Sequence, residues 1–205
     1  MGFLCPDSKI FRISLTPSCG NTGNCFNSDH FGIGMPCDTR ESCNMSFAPT
    51  IIERLARARA DLRMGVPVVL SGETSILVMA TETLSAARLS DLHTLGGEPV
   101  LAITSRRAET LKARAYDGDL ARILLPQDAT LAFVQSIADP ADDLNAPMKG
   151  PFTSARTGDA APHRAALAII KSARLLPSAV VLTLDHAAQF ATINGLTIVP
   201  LDLAR

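Results

Sequence analysis

Lys149 and Arg156 lie in a stretch, residues 139–160, punctuated by Asp139-Pro140, Pro147, Gly150-Pro151 and Gly158. Cations in a glycine-bearing loop suit the capture of an anion. The ammonium and guanidinium groups supply charge, and Gly150 and Gly158 let backbone N–H groups approach a phosphate oxygen. Lys149 and Arg156 are therefore the phosphate-binding candidates. Arg106, Arg107, Lys112 and Arg114 form a second cationic set, but on a short helical pattern such a run reads as a solvent face. The five cysteines, Cys5, Cys19, Cys25, Cys37 and Cys43, all precede residue 44, with His30 among them. Structural zinc needs ligand pairs roughly two to four residues apart. The intervening gaps of 13, 5, 11 and 5 residues do not supply them, so no metal ligands are assigned. An odd cysteine count argues against a disulfide framework as well. No phosphate-cradling Gly-x-x-x-x-Gly-Lys-Ser/Thr loop, Gly-x-Ser-x-Gly elbow or His-Glu-x-x-His helix occurs.

The elements that must position these residues begin after a change of texture. Residues 1–44 are rich in Gly, Asn, Ser, Pro and Cys and show no sustained period, while Met45-Ser-Phe-Ala-Pro-Thr resembles an ordinary protein start. Residues 1–44 are therefore expected to be an over-extended reading frame or a disordered tail. From Pro49 onward helix and strand signals alternate. Thr50 can cap a helix with Ile51, Ile52, Leu55, Ala58 and Leu62 on one face, and Gly65 and Pro67 end it. Val66–Leu70 and Ser75–Ala80 read as a hairpin around Ser71-Gly72-Glu73. Further helices are expected over Ser85–Leu95, Ser105–Arg114, Asp128–Ala138, His163–Leu176 and Asp185–Asn194. Strands are expected over Pro99–Thr104, Ala121–Leu125, Ala179–Leu184 and Leu196–Val199. The alternation specifies one α/β (α+β mixed sheet) domain, 45–195, with helices packed on a mixed sheet around one core. That core should gather Ile52, Leu55, Leu62, Val68–Leu70, Leu77–Met79, Leu167, Ile170 and Leu175.

Composition narrows the function classes. The chain has 205 residues, 47% hydrophobic, with a formal net charge of -1 and a pI near 6.4. Such a balance gives no field for nucleic acid or an anionic membrane. The lack of Trp and the single Tyr116 argue against base-stacking platforms. No apolar run reaches the roughly 18 residues of a membrane span, and the N-terminus lacks the pattern of a secretory signal. The expected setting is the cytoplasm, with no nucleic-acid or membrane partner.

Two helix–strand units, Ile51–Leu70 and Pro162–Leu184, resemble in that order the 3,4-dihydroxy-2-butanone-4-phosphate synthase domain of riboflavin biosynthesis. Gly65-Val-Pro-Val-Val-Leu70 matches the family's Gly-x-Pro-Val strand, and Leu77-Val-Met-Ala-Thr-Glu82 its Leu-Val-x-Ala-Ala-Glu strand. Pro99–Leu111 is also family-like, and the helix from His163 is similar to the family's Gly-His-Thr-Glu-Ala helix. The likeness covers about two thirds of the chain. It implies a vestigial site at Glu73 and His163, because the family holds magnesium with a glutamate of an acidic loop and the histidine of Gly-His-Thr-Glu. The two residues should then lie in one region, at the loop ends of neighbouring elements.

The departures from that pattern weigh against a reaction. Ser71-Gly-Glu-Thr-Ser-Ile76 has Glu73 as its only acid, and Arg164 and Ala165 stand where the family has Thr and Glu. A hard cation such as magnesium wants a dense oxygen cage, so Glu73 is expected as a solvated hairpin residue and His163 as a structural histidine. The chain thus resembles the degenerate synthase-like domain at the N-terminus of bacterial GTP cyclohydrolase II. That kinship implies no cofactor, no catalysis by the domain alone, and a cyclohydrolase domain or a second copy as partner. The cyclohydrolase's Cys-x10-Cys-x-Cys zinc cluster has no counterpart after Cys43, so residues 196–205 are expected to begin a linker to an absent domain. The alternatives are a divergent magnesium-dependent enzyme acting on ribulose 5-phosphate through Glu73 and His163, and a zinc-binding regulator acting through the Cys-rich tail.

Overall fold

The computed structural model describes residues 48–144, 147 and 149–204, so the expectations for residues 1–44, their cysteines and His30 lie outside the described residues. Helix α1 (Ile51–Arg63) starts where Thr50 and Glu53 form a reciprocal capping box. It stops in a paired motif: Gly65 N–H bonds Leu62 O at 3.0 Å and Val66 N–H bonds Asp61 O at 2.7 Å. Gly65 has φ +75, and a Cβ there would meet Thr83 O at 2.4 Å, so only glycine fits. The stop consumes the Val66 N–H, and Pro67 has none. Strand β1 therefore begins at Val68 (Val68–Ser71), two residues later than the apolar run suggests.

The remaining elements are β2 (Ile76–Ala80), α2 (Ala86–Thr94), β3 (Val100–Thr104), α3 (Ser105–Thr110), β4 (Leu120–Leu124), α4 (Leu131–Ala138), α5 (Ala161–Ser172), β5 (Ser178–Thr183), α6 (Ala187–Asn194) and β6 (Thr197–Pro200). They build one six-stranded mixed sheet in the order β4-β3-β5-β2-β1-β6. Only the β1–β6 pair is parallel. The linker expected from residue 196 is instead structural. β6 pairs with β1, Thr197 Oγ1 donates to Asp61 Oδ2 at 2.6 Å, and Ala204 is buried.

The single core expected from the sequence is two cores, because strand residues alternate between faces. Val68, Leu70, Ile76 and Val78 pack with Leu62 of α1 and Leu167, Ile169 and Ile170 of α5. Val69, Leu77, Met79, Leu101 and Ile103 pack on the other face with Leu89, Leu92, Val134, Ile137 and Ala191. Ile52, expected in the core, is 78% exposed and Ile51 46%. The long stretch 139–160 is also less free than its composition suggests. It opens with a 3-10 turn (Pro140–Asp143), and residues 153–155 then lie antiparallel along β4. Leu124 N–H bonds Thr153 O at 2.8 Å, and Ala155 N–H bonds Arg122 O at 2.8 Å. This segment fixes the backbone on which Arg156 sits.

Candidate functional site

Strands β5 and β2 run antiparallel with Thr183 opposite Ile76, so the β1–β2 turn, the end of β5 and the start of α5 share one end of the sheet. Glu73 in that turn is exposed, as a solvated hairpin residue should be. His163, in the first turn of α5, lines a recess of about 580 Å³ at the same end with Arg122, Ser154, Arg156, Leu182 and Thr183. Glu73 does not line it. Among the described residues the one carboxylate that does is Glu98, an exposed residue that carries no sequence signal because it sits in the ordinary-looking turn between α2 and β3.

Arg122 was also missed, since one arginine in an apolar strand run carries no motif. It is only 4% exposed and points to the α5 face of β4. Asp117 accepts from its Nε at 2.7 Å and from its Nη2 at 3.0 Å, and Thr157 O accepts from its Nη1 at 3.0 Å. The buried charge is thereby paired, and each of its three nitrogens makes a hydrogen bond. The next two residues of α5 complete the departure from the family pattern. Arg164 turns outward to Asp119, with both contacts at 2.8 Å, while Ala165 is fully buried in the α1–α5 core. Glu82, which matches the last residue of the family's second strand, accepts from Leu176 N–H at 2.8 Å and so ties β2 to the approach to β5.

Burial pushes the His163 imidazole down to about 4 from its ordinary 6.5, and the Arg122 guanidinium adds to the shift while Asp117 opposes it. Its Nδ1 is buried and makes no well-formed hydrogen bond among the described residues, although the Asp159 backbone lies near enough to oppose the shift weakly. The unfolded chain takes a proton at this histidine below about pH 6.5, whereas the folded chain resists until about pH 4. Stability present above pH 6.5 is therefore lost as pH falls toward 4, on the order of 2 kcal/mol between pH 7 and pH 5. Urea unfolding at those two pH values should show this loss in the natural chain and a flatter response in His163→Gln. Equal slopes for the two would refute the assignment.

The phosphate-binding candidates are not equivalent. Lys149 is spent internally, its Nζ donating to Ser136 O and to Asp143 Oδ1, each at 2.6 Å. Arg107, expected on a solvent face, belongs to the same cluster. It donates to Asp143 at 2.5 and 2.7 Å and to the carbonyls of Ile137, Ser136 and Asp139 at 2.7, 3.1 and 3.2 Å. These carbonyls close the C-terminal turn of α4, where a helix leaves acceptors without intrahelical partners and favours a cation. The Arg107 guanidinium and then the Lys149 ammonium hold the Asp143 carboxyl far below the usual carboxylate range. Arg156, by contrast, remains exposed, its guanidinium 5.3 Å from the centre of the Tyr116 ring.

The backbone resembles solved structures over 73% of this chain. One is the 3,4-dihydroxy-2-butanone 4-phosphate synthase of Candida albicans, with a TM-score of 0.52, 16% identity and 94% of that chain covered. A second is a two-domain synthase from A. baumannii, with a TM-score of 0.52, 16% identity and 56% covered. A third is a synthase in complex with two magnesium ions, with a TM-score of 0.52, 13% identity and 93% covered. The chain has the 3,4-dihydroxy-2-butanone 4-phosphate synthase fold.

No family model matches the chain. Over 152 residues, 70% of the chain, it is 32% identical to the GTP cyclohydrolase-2 of Azospirillum brasilense, and it spans 39% of that protein's length. This version of the synthase fold does not suit magnesium. His163 is one nitrogen donor beside a guanidinium, Glu73 lies outside its recess, and no three His, Cys, Asp or Glu side chains gather among the described residues.

Proposed function

We propose that this chain is the non-catalytic synthase-fold module of a riboflavin-biosynthesis protein of the GTP cyclohydrolase II type, with a structural or interaction role in the cytoplasm. The observation that carries this reading is the recess at the end of β5. There a buried arginine is locked to Asp117, and the histidine beside it is held neutral, where a metal-dependent enolisation would need several oxygen donors. The similarity to GTP cyclohydrolase-2 supports the choice of protein class. The partner is a cyclohydrolase domain or a second copy of this chain. Ile52 and Met64, 78% and 77% exposed on and just after α1, leave apolar surface for such a contact.

Sedimentation velocity of the full chain tests this, alone and mixed with the part of the Azospirillum brasilense protein outside the aligned region. A faster complex is expected in at least one of the two samples. Monomers in both would overturn the interaction role.

A further inference from the structure

A second recess, of about 970 Å³, lies along the 149–156 segment and shares Ser154 and Arg156 with the first. We propose that it binds a small phosphate ester bearing two or more negative charges and a planar or apolar body. Lys112, Arg114 and Arg156 line it, and none has an ion-pair partner among the described residues. Among the described residues the only carboxylate in the lining, Asp143, is already paired with Arg107 and Lys149. The wall therefore carries a surplus of positive charge in a concave, partly apolar setting, where an anion is attracted more strongly than on open surface.

Two further features fit this ligand class. The Ser154 hydroxyl, on a backbone held by its bridge to Ile123 and lining both recesses, is buried without a hydrogen-bond partner among the described residues, so a ligand oxygen could accept from it. Leu111, Phe152 and the Tyr116 ring give an apolar side to the same recess, and Tyr116 keeps Arg156 at its rim. A volume near 1,000 Å³ is about the upper end for small-molecule sites and admits a nucleotide-sized ligand. Lys112 reaches the wall from a left-handed turn, φ +56, a position that glycine would hold with less strain.

Calorimetric titration of the full chain at low salt tests the site, with adenosine 5′-diphosphate as a probe having both features and inorganic pyrophosphate as one lacking the body. The diphosphate should bind one to one with a Kd below about 1 mM, and pyrophosphate more weakly. Arg114→Ala and Arg156→Ala should each weaken binding about tenfold, the worth of one charge-assisted contact. Arg156→Lys should retain part of it, and Arg106→Ala, on the exposed face of α3, should change nothing. Unaltered thermal unfolding in the variants would assign any loss to the site. Absence of saturable binding by both probes, or an equal loss in Arg106→Ala, would overturn the proposal.

Discussion

Ile170→Ala should lower the unfolding free energy by about 2–5 kcal/mol, as fully buried aliphatic truncations do when the cavity cannot collapse. Ile170 is 0% exposed on the inner face of α5, between the helix and the sheet strands, and shares its cluster with Leu62, Leu70 and Val78. Rigid strands on one side and α1 on the other leave little room for the walls to close in. The matched control is Ile52→Ala, also an isoleucine in a helix, which is 78% exposed and should change stability by no more than about 0.5 kcal/mol. Urea midpoints measured side by side decide the matter. A cost below about 1 kcal/mol for Ile170→Ala, or a larger cost at Ile52, would contradict the packing of α5 and α1 described above.

Arg107→Ala is expected to cost about 3 kcal/mol, toward the low end for breaking a buried charged cluster because Asp143 can still reach water. Arg107 spans two elements. Its guanidinium answers three carbonyls at the end of α4 and both oxygens of Asp143 in the following turn, with the side chain only 10% exposed. Its removal leaves acceptors without donors and Lys149 alone against the carboxylate. Arg106→Ala, one residue away on the exposed side, should be near neutral. A double-mutant cycle of Arg107→Ala with Asp143→Asn should show strong coupling, since both act on one cluster. Additive effects, or a cost for Arg107 no larger than for Arg106, would show that the cluster does not hold α4 in place.

The fold's elements were legible because period and punctuation agreed: the capped amphipathic α1, the Gly65 stop, the hairpin around Glu73 and the Gly195 stop of α6 all stand in the structure. Boundaries failed where a stop carried no glycine. α3 ends in the same paired motif as α1, but with Lys112 at φ +56, and α5 ends likewise with Arg174 at φ +62. Both helices therefore read several residues too long in sequence. The start of α4 was misplaced for a related reason. Asp128 and Thr130 are both competent caps, and it is Thr130 that accepts from Phe133 N–H. Ile51 and Ile52 fit the apolar stripe of α1, yet both are exposed in the first turn of the helix.

At the candidate site the limits are non-local. A run of Arg106, Arg107, Lys112 and Arg114 looks uniformly solvated, and only the contacts with Ser136, Ile137, Asp139 and Asp143 reveal that Arg107 is an internal cap. The pairing of Arg122 with Asp117, five residues away, is equally hidden, because one arginine between apolar neighbours marks neither burial nor partner. The strand order places β5 between β2 and β3 although it is made last but one. No local pattern encodes that crossover, and it is what brings Thr183, Arg122 and His163 to one recess.

The full chain incubated with ribulose 5-phosphate and magnesium tests the proposed non-catalytic role most directly. Consumption of the sugar phosphate should be no faster than with magnesium in buffer alone, and Glu73→Gln should leave the trace unchanged. Magnesium-dependent consumption that disappears in Glu73→Gln or His163→Ala would overturn the non-catalytic role and make the domain an enzyme.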